Sequence, residues 1–205
     1  MFDCDEQTIL KVYHECGHAV VAKLFENSFC IQLITLEEDK IPDSELILGT
    51  EGMLHIKIKK QVLDNLSFDN IKELVITLYA GFATQNIYTI SRTEIEKNIS
   101  MYSVNFNDLN KNKCSGDFGY ADDWIKQLSS YQSISSYEYK AAIVYFLLMY
   151  LTQPEVWYGV EHLVRGLLEQ HKKTLTFDQI NSNMEQSGLN DYLKNNSSRL
   201  VSIIF

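Results

Sequence analysis

The chemistry of this chain concentrates in five residues near its start, His14-Glu15-Cys16-Gly17-His18. On a helix, two histidines four residues apart stack one turn above the other on the same face. Both imidazoles can then reach a single ion at roughly 2.0–2.1 Å, the distance tetrahedral zinc requires. Glu15, one step further round, is placed to take a proton from a water held beside that ion. The pattern is HExxH, the arrangement used by zinc-dependent hydrolases.

Such a pair needs a rigid element beneath it. Val12, Ala19, Val20, Ala22, Leu24 and Phe25 supply an apolar face at helical spacing, so a helix is expected from Asp5 or Thr8 to Phe25, ended by Asn27 and Ser28. Ile31 to Leu36 alternates loosely and is rich in β-formers, which predicts a strand. A loop through Pro42 follows, and Gly49 to Gly52 interrupts again. Residues 53–59 alternate cleanly as a second strand, and the two should pair as a small antiparallel sheet.

Ser67 or Asp69 should cap a helix carrying Ile71, Leu74, Val75, Leu78, Ala80, Phe82 and Ala83. Ser91 to Lys113, rich in Asn, Ser and Lys, has no sustained period and reads as a surface loop. Helices are expected over about 116–131, 136–151 and 154–171, with Thr176 capping a last short one over 177–186. No repeat is present. The expected fold is mainly α, one domain over 1–205, with a small antiparallel β-hairpin or sheet after the HExxH helix.

Composition narrows the function classes. The 205 residues are 45% apolar and 22% charged with two prolines, enough for a sizeable single core. A net charge of -9, with eighteen basic residues that form no stripe, argues against binding nucleic acid or an anionic membrane. The longest apolar stretch, Ala141 to Leu151, is about half of what a bilayer crossing needs. Cys4, Cys16, Cys30 and Cys114 include no CxxC pair, so a thiolate metal site is not expected. The acidic, polar N-terminus does not read as a secretory signal. Reduced thiols in the cytoplasm are the expectation, with Cys16 packing the helix on the side away from the histidines.

With these elements in order, the chain resembles the peptidase domain of the FtsH family, the M41 metallopeptidases. Tyr13-His14-Glu15-Cys16-Gly17-His18-Ala19 is similar to that family's YHEAGHA-type helix. Leu78-Tyr79-Ala80-Gly81-Phe82-Ala83-Thr84-Gln85-Asn86 resembles its LGGRxAEE helix. Ser115-Gly116-Asp117-Phe118-Gly119-Tyr120-Ala121 resembles its SNDxxxA segment, whose aspartate is the third metal ligand. Leu163 to Leu168, then Thr174-Leu175-Thr176 and Ile180, is similar to its closing pattern.

The resemblance implies a zinc endopeptidase in which His14, His18 and Asp117 hold the ion and Glu15 is the general base. Asp117 is chosen because Ala121 stands four residues on, as the family's alanine does. Asp122 and Asp123 compete with it, Asp108 lies upstream, and an aspartate at such a place is also a common helix cap. Substrate would be a peptide or unfolded segment lying extended beside an edge strand, with residues 53–59 the candidate edge; as half of a supporting hairpin the same strand would have no such role.

Two departures stand out. Thr84, Gln85 and Asn86 occupy the region of the family's paired glutamates, so Gln85 could hydrogen-bond to a ligand histidine but could not add the charge that raises its basicity. Phe82 replaces the family's arginine. The sequence also holds no G-x-x-x-x-G-K-[ST] loop, and none is expected ahead of His14, so an unfolding ATPase would have to be a separate partner. A homo-oligomer is a further expectation. The alternative function is a catalytically weak or inactive binding or adaptor domain that keeps the fold. His55, His162 and His171 carry no ligand spacing. The aromatic set Tyr137, Tyr139, Tyr145, Phe146, Tyr150, Trp157 and Tyr158 is expected in the core, and Glu169 to Lys173 at a solvated helix end.

Overall fold

A computed structural model describes residues 4–36, 54–58, 67–103, 115–170 and 174–202. Helix α1 (Glu6–Leu24) starts where the sequence places it. Asp5 caps it, accepting from the Thr8 N–H at 2.9 Å. Val12, Cys16, Ala19, Val20 and Val21 are fully buried, each aliphatic side chain among the larger ones worth about 1.5–3 kcal/mol on transfer from water. Strand β1 (Phe29–Thr35) follows and pairs antiparallel with β2 (Leu54–Ile58), with a bulge between Ile31 and Leu33. The expected hairpin strands are present.

Helix α2 (Phe68–Ile90) is capped by Ser67, which accepts from the Asn70 N–H while Asn70 reaches back. It lies along α1 over most of that helix's length and packs on its other sides against α4 (Ser115–Gln132) and α5 (Ser136–Leu151). Ser135 caps α5 with Glu138 closing a capping box. Helix α6 (Pro154–Glu169) opens on a proline, whose missing N–H costs nothing there, and covers another side of α1.

Three features depart from expectation. Residues 92–103, expected as loop, are helical: α3 (Arg92–Lys97), then 99–103. Ile95 is fully buried, and Ile99 and Tyr102 pack on the core. That i, i+4, i+7 stripe is a helix signal thinned by its polar surroundings. The rest of the expected loop, 104–113, lies outside the described residues. A third strand, β3 (Thr174–Thr176), pairs antiparallel with β1, giving the sheet order β2-β1-β3. Beyond the expected α7 (Phe177–Gln186), Gly188 at φ 77° turns the chain into α8 (Leu189–Ser202), which buries Leu189 and Leu193. Positive φ is a conformation that glycine adopts freely.

The protein is therefore mainly helical with a small antiparallel sheet. No helix among the described residues is long and apolar enough to cross a membrane. The aromatic set divides: Tyr139, Phe146, Tyr150 and Trp157 are buried, whereas Tyr137, Tyr145 and Tyr158 are exposed. Helix α5 packs against several neighbours, yet Tyr137 and Tyr145 on it are exposed, so a run that reads as uniformly apolar still presents a solvent face. His162 packs edge-on against Tyr158 at 4.5 Å. Glu169 and Gln170 are exposed as expected; His171 to Lys173, the side chain of His55, and Cys114 lie outside what is described.

Candidate metal centre

Helix α1 sets His14 and His18 one turn apart, with ring centroids 4.5 Å apart and planes at 82°. Their Nε2 atoms lie 2.9 Å from each other. Helix α4 delivers the third group from 103 residues away. Asp117 is the third residue of that helix, so it is no cap; a carboxylate there also sits favourably in the field of the helix N-terminus. Its Oδ2 lies 2.9 Å from His14 Nε2 and 3.3 Å from His18 Nε2. Among the described residues this is the one group of three His, Cys, Asp or Glu side chains close enough to share an ion.

The other aspartates are engaged elsewhere. Asp122 pairs with Lys140 of α5, and exposed Asp123 pairs with Lys126 one turn along its own helix at 2.9 Å. Asp108 lies outside the described residues. Of the aspartates among the described residues, Asp117 is the one that meets the two histidines.

The donor set suits a divalent ion. His18 Nδ1 donates to the Thr77 carbonyl of α2 at 2.6 Å, which fixes the tautomer and leaves Nε2 as a lone pair facing the cluster. Three electron-pair donors then meet at 2.9–3.3 Å. The edge of a tetrahedron with arms of 2.0–2.1 Å is about 3.3 Å, so only a small expansion is needed. Without an ion, protons must hold these groups together. Burial alone would lower the proton affinity of His18, but the Asp117 carboxylate, Glu15 and the Thr77 carbonyl outweigh it and hold its pKa up at about 9. Burial alone would raise Asp117, yet the two imidazoles hold its carboxyl well below the ordinary range.

Glu15 is buried between the two histidine positions on α1, near enough to His18 to raise its proton affinity. Cys16 is wholly buried, and burial followed by the Glu15 charge pushes its thiol far up. It packs the helix, as expected, and is chemically quiet.

One expectation concerning the histidines meets a different arrangement. The side-chain amide of Gln85 does not reach a ring; its Nε2 donates to the Leu10 carbonyl of α1 at 3.2 Å. His14 Nδ1 is buried with no hydrogen-bond partner among the described residues. The far sides of the two rings are therefore held unequally: the Thr77 carbonyl takes the Nδ1 of His18, whereas the Nδ1 of His14 has no hydrogen-bond partner among the described residues.

The sequence reading missed the part played by Thr77, which acts through its backbone and leaves no trace in residue type. It also gave Gly81 no role. A glycine inside an apolar helix costs about 1 kcal/mol against alanine and so calls for a reason; that was the available signal. Compared with family models, with curated proteins and with solved structures, the chain matches none.

Proposed function

We propose that this chain is a zinc-dependent endopeptidase of the FtsH type, hydrolysing peptides or unfolded segments. The observation that carries the reading is the meeting of His14 Nε2, His18 Nε2 and Asp117 Oδ2 within 3.3 Å on two different helices, with Glu15 buried beside them. A zinc ion bound there supplies Lewis-acid chemistry, polarising a carbonyl and lowering the pKa of a water towards about 7.

The chain's own residues do the rest. His14, His18 and Asp117 hold the ion, and the Thr77 carbonyl keeps the His18 ring turned towards it. Glu15 takes the proton of the attacking water and passes it to the leaving amine. Among the described residues β2 pairs with β1 alone, so its outer side is the candidate edge for an extended peptide held by main-chain hydrogen bonds. Among the described residues Cys16 and Cys30 form no disulfide, which fits a reducing compartment such as the cytoplasm.

The test is Glu15→Gln, compared with wild type for zinc content and for cleavage of unfolded casein. We expect unchanged zinc with cleavage reduced by roughly 10²-fold or more, the size of a lost general base. A zinc-loaded wild type that leaves casein intact would favour the second reading, a binding or adaptor domain working with other subunits or a separate ATPase. The unpartnered His14 Nδ1 and the bond of Gln85 to Leu10 are what favour it, because no side chain among the described residues then raises the basicity of that ligand.

A further inference from the structure

One stripe of α2 meets the histidine turn of α1 at three successive levels. Thr77, Gly81 and Gln85 are spaced by four and share a face of the helix. At the first level the Thr77 carbonyl accepts from His18 Nδ1 at 2.6 Å. At the second, a Cβ built on Gly81 would stand 2.5 Å from His18 Nε2 and 2.7 Å from both Cδ2 and Cε1 of His14. Contacts that short do not occur, so the two imidazoles lie in the space that the missing side chain leaves. At the third, the Gln85 amide donates to the Leu10 carbonyl at 3.2 Å. Within a helix that carbonyl also receives the N–H of His14, four residues on. The bond therefore pins the turn from which His14 projects.

We propose that Gly81 and Gln85 are positioning residues for the metal centre: Gly81 provides the space in which both imidazoles converge, and Gln85 fixes the backbone turn that carries His14. The inference rests on the metal-centre reading above and says how this chain holds the site. It gives Gln85 a duty that glutamate cannot perform, since an ionised carboxylate accepts hydrogen bonds and cannot donate one to a carbonyl. Two acceptors facing each other repel. If the position instead served to orient a ligand histidine by its charge, glutamate would improve the site.

The opposite signs make the test. Metal-free wild type, Gly81→Ala, Gln85→Leu and Gln85→Glu are titrated with cobalt(II), read by its visible absorption, with a competing chelator to set the affinity. Thermal unfolding of the same samples in chelator reports the fold. We expect each variant to bind cobalt roughly 10–100-fold more weakly than wild type, the usual cost of losing a residue that supports a ligand. Gly81→Ala should also change the absorption envelope, because its Cβ meets buried His18 as well as partly exposed His14 and moves both rings. Gln85 is only half-buried, so its variants report on the site even if Gly81→Ala fails to fold. Wild-type cobalt binding with equal or tighter binding by Gln85→Glu would overturn the inference and leave the metal centre standing. No cobalt binding by wild type would overturn both.

Discussion

Replacing Gly17 by alanine tests how closely α1 and α2 must approach for the site to exist. A Cβ at Gly17 would stand 2.0 Å from Thr84 Oγ1, 2.6 Å from Thr84 Cβ and 3.0 Å from the Ala80 carbonyl oxygen. Ordinary contact begins at 3.4 Å, so the first approach is short by more than an ångström. Thr84 cannot yield, being fully buried with its hydroxyl donating to the Ala80 carbonyl at 2.8 Å. Turning its side chain would relieve the hydroxyl and leave the Cβ clash. The helices must part instead. Overpacking of this kind costs about 1–3 kcal/mol, and contact with a fixed partner puts it at the upper end. The better helix propensity of alanine returns about 1 kcal/mol. The net loss is about 2 kcal/mol, which for a chain of this size lowers the midpoint by about 4–8 °C.

The assay is thermal unfolding followed by circular dichroism in chelator, which keeps metal affinity out of the comparison. Thr84→Gly in the same chain clears the space from the other side and should restore most of the loss, giving a coupling of about 2 kcal/mol between neighbours in contact. Gly17→Ala melting at or above wild type would refute the reasoning, as would a double variant no better than the single.

Two further outcomes follow from features away from the site. Ser91, between α2 and α3, has φ 102° and makes no side-chain cap. Ser91→Gly should relieve about 1–3 kcal/mol of strain, less about 0.5–1 kcal/mol of added chain freedom in the unfolded state, and so raise the midpoint in the same assay; a lower midpoint would contradict it. Burial raises the pKa of Glu73 above 4.5, against the pull of its bonds with Ser28 and Asn70. The folded state therefore holds the Glu73 proton more tightly than the unfolded chain. Wild-type stability relative to Glu73→Gln should fall as the pH rises from 4.5 through the folded value, then level off. Urea unfolding from pH 4 to 7.5 measures that difference, and a difference that grows with pH would be the wrong sign.

How much the sequence disclosed depended on the range of each interaction. The pairing of His14 with His18 on α1 was legible because four residues make one turn whatever the tertiary fold, and the first two strands because their alternation is local. Asp117 was not fixed by spacing: it shares its helix with Asp122 and Asp123, and which of them faces α1 is decided by how α4 packs on α2. The β3 strand is three residues long and exists only by pairing with β1, some 140 residues earlier. Ile95 with Ile99 and Leu189 with Leu193 are apolar pairs in polar surroundings, too sparse to stand out until the core they enter is known. Gln85 shows the converse. Its place on α2 was read correctly, but its partner is a backbone carbonyl, which no residue type advertises.

The central claim is a metal centre made by His14, His18 and Asp117, and metal content tests it most directly. Protein purified without chelator would be analysed by elemental mass spectrometry as wild type, His18→Ala, Asp117→Ala and the surface control Asp123→Ala. We expect near-stoichiometric zinc in wild type and Asp123→Ala, and little in the other two. Zinc absent from wild type, or retained in full by Asp117→Ala, would contradict the assignment.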